Sequence, residues 1–327
     1  MPWRPSRARR AVVVTLGVLA LALTAGCDRD AATPAPSPSV ATPTAPESAR
    51  PAPTAPPTLA ASPAAGAEPA VPLPGARTVQ GRASTVTGTV DEATLTAYAA
   101  MADRAVAEVS KRWARPWPGR VTVVAPKDAT AFREQVGRAD DLSQVAAITD
   151  GPVGADGRAT GDRILLNPDA FARLTTQGRQ FVLTHESTHV AVRSSLPGAA
   201  PLWLVEGYAD HVGYAASNRR RADLAAPLLE RVRSGAGPTR LPTQGDFDPG
   251  QGEIAPSYLA SWLAVDLIAR RHGEARLQAF YAASSVTSSP ADADSAMDRA
   301  FADVLGTTRA AFTKAWLSEL NQLAAPK

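Results

Sequence analysis

The stretch TQGRQFVLTHESTHVAVRSS, residues 176–195, contains two of the chain's four histidines four residues apart. On a helix, His185 and His189 lie one turn apart on the same face, so both imidazoles can reach one metal ion. Glu186 lies about 100° round from His185, at the edge of the same site. Thr176 stands where an N-cap is expected and Pro197-Gly198 closes the segment, which predicts a single helix.

A catalytic zinc site needs a third protein ligand and an open position for water. PLWLVEGYADH, residues 201–211, predicts a second helix with Pro201 in its first turn. The first helix runs on about 9 Å beyond His189 and the second returns about 7.5 Å by Glu206, at 1.5 Å per residue. Glu206 thus comes back to the level of the histidines. Asp210, one turn further on the same face, is placed to accept a hydrogen bond from a ligand imidazole and so fix its tautomer.

HESTH followed by WLVEGYAD, with 16 residues between His189 and Glu206, resembles the gluzincins, the thermolysin-type clan of zinc peptidases. The closer likeness is to the bacterial peptidase MA-like domains, which carry an HExxH helix and then a WLxEGxA helix. That resemblance implies one Zn2+ held by His185, His189 and Glu206, with Glu186 as general base and Asp210 as the partner of His185. It extends to APSYLASWLAVDLIARRHG (255–273), like the tyrosine-containing helix after the metal site, and to a C-terminal helical pair ending in a tryptophan. Tyr258 is then the candidate donor to the oxyanion, with a core tyrosine as the other reading. RILLNP, with Asn167, is either the edge strand that aligns a peptide or an interior strand.

Other zinc patterns fit less well. The metzincin pattern needs Gly and His three and six residues after the second histidine, where this chain has Val192 and Ser195. Asp210 as the third ligand would leave Glu206 without a role. His211 points about 140° away from the Glu206 face. No GxMEN-like segment precedes HESTH, so nothing marks an aminopeptidase. His272 has no partner at ligand spacing, Arg219 to Arg221 read as a solvated helix start, and Trp203, Trp262 and Trp316 sit at core spacing.

The chain opens with an arginine-rich segment and the apolar run AVVVTLGVLALALTAG, followed by its single cysteine, Cys27. The run is shorter than the roughly 20 residues that cross a bilayer, so residues 1–26 read as a signal peptide. LTAGC resembles a lipobox, with Thr24 in place of the usual leucine, and implies lipidation at Cys27. With no second cysteine there is no disulfide, so stability must come from a packed core. Residues 27–75 are rich in Pro, Ala, Ser and Thr without an aromatic side chain, and read as a disordered tether.

Residues 76–327 then form one globular peptidase domain, expected as an α+β, zincin-like fold: a small N-terminal mixed sheet, the HExxH helix and a C-terminal helical subdomain. Helices are expected at 91–113, 128–137, 176–195 and from 201, then near 219–233, 256–272, 274–284, 293–304 and 308–323. Strands are expected at 120–126, 146–150 and 163–168. The formal charge of +3 owes much to leader arginines, so a near-neutral mature chain gives no sign of nucleic-acid binding. The expectation is a monomeric zinc metallopeptidase anchored by lipid to the outer face of a bacterial cytoplasmic membrane, with a peptide or protein substrate. The rival is a non-catalytic, zinc-containing surface binding lipoprotein.

Overall fold

The computed structural model describes residues 72–137, 142–286 and 290–326. The expected signal peptide, Cys27 and nearly all of the tether lie outside the described residues. Among the described residues, no helix is long and apolar enough to cross a membrane.

The architecture is a small mixed sheet followed by helices. The sheet contains β1 (Arg77–Gln80), β2 (Ser84–Gly88), β3 (Val121–Ala125), β4 (Ala147–Asp150) and β5 (Arg163–Leu166), in the order β1-β2-β3-β5-β4. The three inner strands run parallel and both edges are antiparallel. A parallel pair needs a long crossover. Between β2 and β3 it is α1 (Glu92–Arg112), whose buried face carries Leu95, Ala99, Ala102, Val106 and Val109.

The strand pair β1–β2 was not among the expected strands. RTVQ and STVTG are short and polar, and their pairing is fixed by a distant residue: Asp103 of α1 accepts from the N–H of Arg82 and Ala83 and from Ser84 Oγ. RILLNP is resolved by the topology. β5 lies inside the sheet, and Asn167 donates to the carbonyls of Leu142 and Val145, so the antiparallel edge beside the long helix is β4, AITD.

Helix α2 (Ala129–Val136) lies between β3 and β4 in the chain, and after β5 come α3 (Pro168–Ala172) and α4 (Thr176–Ser195). Thr175, not Thr176, caps α4, its side chain accepting from Gly178 N–H. α4 packs against α1 on one side and α5 (Leu202–Tyr214) on the other. The expected helix at 219–233 is two: α6 (Arg221–Leu224) and α7 (Ala226–Arg233). Pro227 has no N–H to continue the earlier helix, so a new one starts around it. The chain ends in α8 (Ala255–His272), α9 (Glu274–Ser284), α10 (Pro290–Asp303) and α11 (Arg309–Ala324).

One close approach sets the distance between α5 and α8. A Cβ on Gly207 would stand 2.5 Å from the Ser261 carbonyl oxygen. Only glycine lets the two backbones meet here. Glu206 and Tyr258 flank this crossing on their respective helices, so the glycine of the WLVEGYA run brings the second helix and the tyrosine helix together. Trp203, Trp262 and Trp316 are buried in the core, as their spacing suggests.

Candidate metal centre

α4 carries His185, Glu186 and His189, and α5 brings Glu206 and Asp210 back against the two histidines. His185 Nε2 lies 3.0 Å from His189 Nε2 and 3.2 Å from Glu206 Oε2, and His189 Nε2 lies 3.7 Å from the same oxygen. His185, His189 and Glu206 form a buried group that could hold a metal ion. Three donors bound tetrahedrally at about 2.1 Å would be separated by about 3.4 Å, so the triangle is of the right size.

The donor chemistry favours a cation as well. His185 Nδ1 is 2.8 Å from Asp210 Oδ1. When the neutral ring donates its proton there, Nε2 presents a lone pair toward the Glu206 carboxylate and the other imidazole. Glu206 Oε1 and Oε2, Asp210 Oδ2 and Glu186 Oε1 are buried without a hydrogen-bonding partner. Among the described residues, no Lys or Arg side chain hydrogen-bonds these three carboxylates. A positive charge amid them would offset the cost of burying them.

The proton affinities carry the same message. Burial raises Glu206 to about 8, against the pull of His185. Burial likewise raises Glu186 to about 7, although His185 and the Thr149 hydrogen bond oppose it. Burial disfavours charge on His185, but Asp210 and Glu206 outweigh it and raise that ring to about 10. His189 is lowered by burial and by the neighbouring His185 charge. Burial raises Asp210 too, opposed by its bond to His185. The pocket therefore favours a cation at His185 Nε2, either a proton or a metal, because three buried carboxylates surround it.

Tyr258, from the first turn of α8, sits with its ring centroid 6.3 Å from that of His185. It is 2 % exposed and its hydroxyl has no hydrogen-bonding partner. Burial and then the Glu206 charge push its pKa well above the ordinary tyrosine value, so it stays protonated as a donor. Phe247 packs edge-on against it at 5.2 Å from the loop between α7 and α8. That loop contains the 3-10 turns Gln244–Phe247 and Pro249–Gln251.

Thr149 is the site residue that the sequence reading passed over. Its hydroxyl lies 2.6 Å from Glu186 Oε2 and 3.1 Å from the Glu186 carbonyl oxygen. The signal was present in AITD, since a polar side chain in a strand buried along its length requires a partner. The bond holds one carboxylate oxygen of Glu186 and leaves Oε1 unpartnered.

The remaining polar groups stand apart. His211 Nε2 is 2.8 Å from Glu274 Oε1. His272 ends α8. Arg220 pairs with Asp223, while Arg221 pairs with Asp266 and Glu319. No protein-family model matches the chain, and no curated protein matches it.

Proposed function

We propose that this chain is a zinc metallopeptidase on a zincin-like domain of gluzincin type, with His185, His189 and Glu206 as ligands and Glu186 as general base. The reading is carried by the triangle of two imidazole nitrogens and one carboxylate oxygen, with sides of 3.0, 3.2 and 3.7 Å. Two nitrogens and one oxygen suit zinc, and three protein ligands leave a position open for catalysis.

Zinc bound there supplies a Lewis acid and lowers the pKa of water to near 7. The chain's residues handle the protons. With Oε2 held by Thr149, Glu186 Oε1 accepts a proton from the water that attacks the amide carbon. As the C–N bond breaks, the carboxyl passes that proton to the departing amine. The Tyr258 hydroxyl donates to the carbonyl oxygen as negative charge builds there. Asp210 holds the His185 ring in register through its 2.8 Å hydrogen bond. Lipid attachment at Cys27 would hold this activity on the outer face of the membrane.

A second reading, a zinc-stabilised binding module that turns nothing over, is favoured by burial: His185, Glu186, Glu206 and Asp210 are fully buried and His189 is 2 % exposed. Peptide digestion separates the two. The zinc-loaded chain is incubated with a mixed peptide library, with and without a chelator and beside Glu186→Gln. The peptidase reading expects chelator-sensitive cleavage that Glu186→Gln abolishes while retaining zinc. Zinc binding without cleavage, or full activity in the variant, refutes it.

A further inference from the structure

The groups assigned to the chemistry are shut away from solvent. Glu186 Oε1, both Glu206 oxygens and the Tyr258 hydroxyl are buried. A cavity of about 200 Å³ beside His189 is walled by Val192, Val205, Tyr281 and Ser285, but by none of those three residues. A peptide carbonyl that meets Glu186 and Tyr258 therefore needs part of the surround to move.

The chain between α7 and α8 covers Tyr258. It carries two 3-10 turns and no longer element. Phe247 is buried against the Tyr258 ring, with 5.2 Å between centroids. Leu241 and Ile254 are buried on either side of it, so residues 242–253 form a loop with anchored ends. Gly252, just inside the second anchor, has φ +132°, a conformation that suits glycine and a hinge.

Inside the loop, the Thr243 N–H and hydroxyl donate to Asp246 Oδ2 at 2.6 and 2.7 Å, so the turn that carries Phe247 is braced on itself. Its ties to the rest of the chain are weaker. Arg240, before the first anchor, donates to both Asp246 oxygens at 2.6 and 3.0 Å, but the pair is exposed and so holds only lightly. Gln144 Nε2 reaches the Gly252 carbonyl at 3.4 Å, a long hydrogen bond. A cavity of about 330 Å³, bounded by Leu228 and Arg231 of α7, Asp246 and Glu253 of the loop and Ser257 of α8, leaves open space between the loop and those helices.

We propose that residues 242–253 are a lid over the metal site, with Phe247 as its plug and the Arg240–Asp246 pair as its latch. The inference rests on the peptidase reading and adds to it how a peptide enters. Lifting the lid uncovers Tyr258 and the site behind it. The buried ends and the braced turn let the loop move as one piece while the helices that hold the ligands stay in place.

The test follows loss of zinc to excess EDTA from the zinc-loaded full chain, with no substrate present, so that failure of the lid and failure of cleavage stay distinct. Wild type is compared with Phe247→Ala, Asp246→Asn and the control Phe132→Ala, which removes an equally buried ring from α2, all well below their unfolding midpoints. Phe247→Ala should release zinc about tenfold or more faster than wild type. Asp246→Asn should release it several-fold faster, and spares the core, so it decides the matter if Phe247→Ala fails to fold. Phe132→Ala should stay near the wild-type rate. Wild-type rates in the lid variants that fold, or equal acceleration in Phe132→Ala, overturn the lid and leave the peptidase reading standing. A chain that takes up no zinc overturns both.

Discussion

Thr149, on the edge strand, holds Glu186 of the long helix through a 2.6 Å hydrogen bond to one carboxylate oxygen. Antiparallel pairing of Thr149 with Ile164 fixes its position, so the sheet aims the carboxylate that the proposed chemistry uses. Thr149→Val keeps the shape and removes the donor. A hydrogen bond to a charged group contributes about 1.5–3 kcal/mol, so kcat for peptide hydrolysis should fall on the order of tenfold or more. KM and zinc content should hold. An unchanged kcat would leave Thr149 a purely structural residue.

In the proposed site Asp210, 2.8 Å from His185 Nδ1, orients that ring and is not itself a ligand. Asp210→Ala should weaken zinc binding by about 10–100-fold, read by competition with a chromophoric chelator. Asp210→Asn, which still offers an acceptor to the ring, should lose less. Equal affinity in all three proteins would contradict the role.

The α5–α8 crossing at Gly207 leaves no room for a methyl group. Gly207→Ala should force the helices apart and destabilise the fold by about 1–3 kcal/mol, seen as a lower denaturation midpoint. Elsewhere in an exposed helix the same change would stabilise by somewhat less than 1 kcal/mol. The sign of the shift is therefore the test.

Much of the site is legible in the sequence because helical periodicity is local. His185, Glu186 and His189 share a turn, and Glu206 and Asp210 follow after a turn short enough for helix lengths alone to bring them back. Thr149 was not legible in that way. It reaches Glu186 across 37 positions by sheet pairing, which no local period encodes. The β1–β2 pair escaped for a similar reason, since its turn is held by Asp103 from the next helix. The break between α6 and α7 was readable from Pro227, whose missing N–H ends one helix and whose fixed φ suits the start of the next.

Acid should loosen that first strand pair. Partial burial pushes the Asp103 carboxyl up, but hydrogen bonds from the Ala83 and Arg82 N–H groups and from Ser84 outweigh it and hold its pKa below the ordinary value. A pKa depressed in the folded state adds stability that is fully present above the unfolded value, near 3.9, and is lost as pH falls through the folded value. Wild-type stability should therefore drop over that acidic window more steeply than in Asp103→Ala. Near neutral pH the variant should be less stable by about 1–3 kcal/mol. Parallel pH profiles for the two proteins would contradict this.

In the proposed site His185, His189 and Glu206 hold zinc. Elemental analysis of the purified full chain, wild type beside His189→Ala, tests it most directly. One zinc per wild-type chain is expected, and a small fraction of that in the variant. A wild-type chain that takes up no zinc, or a variant that keeps a full equivalent, would contradict it.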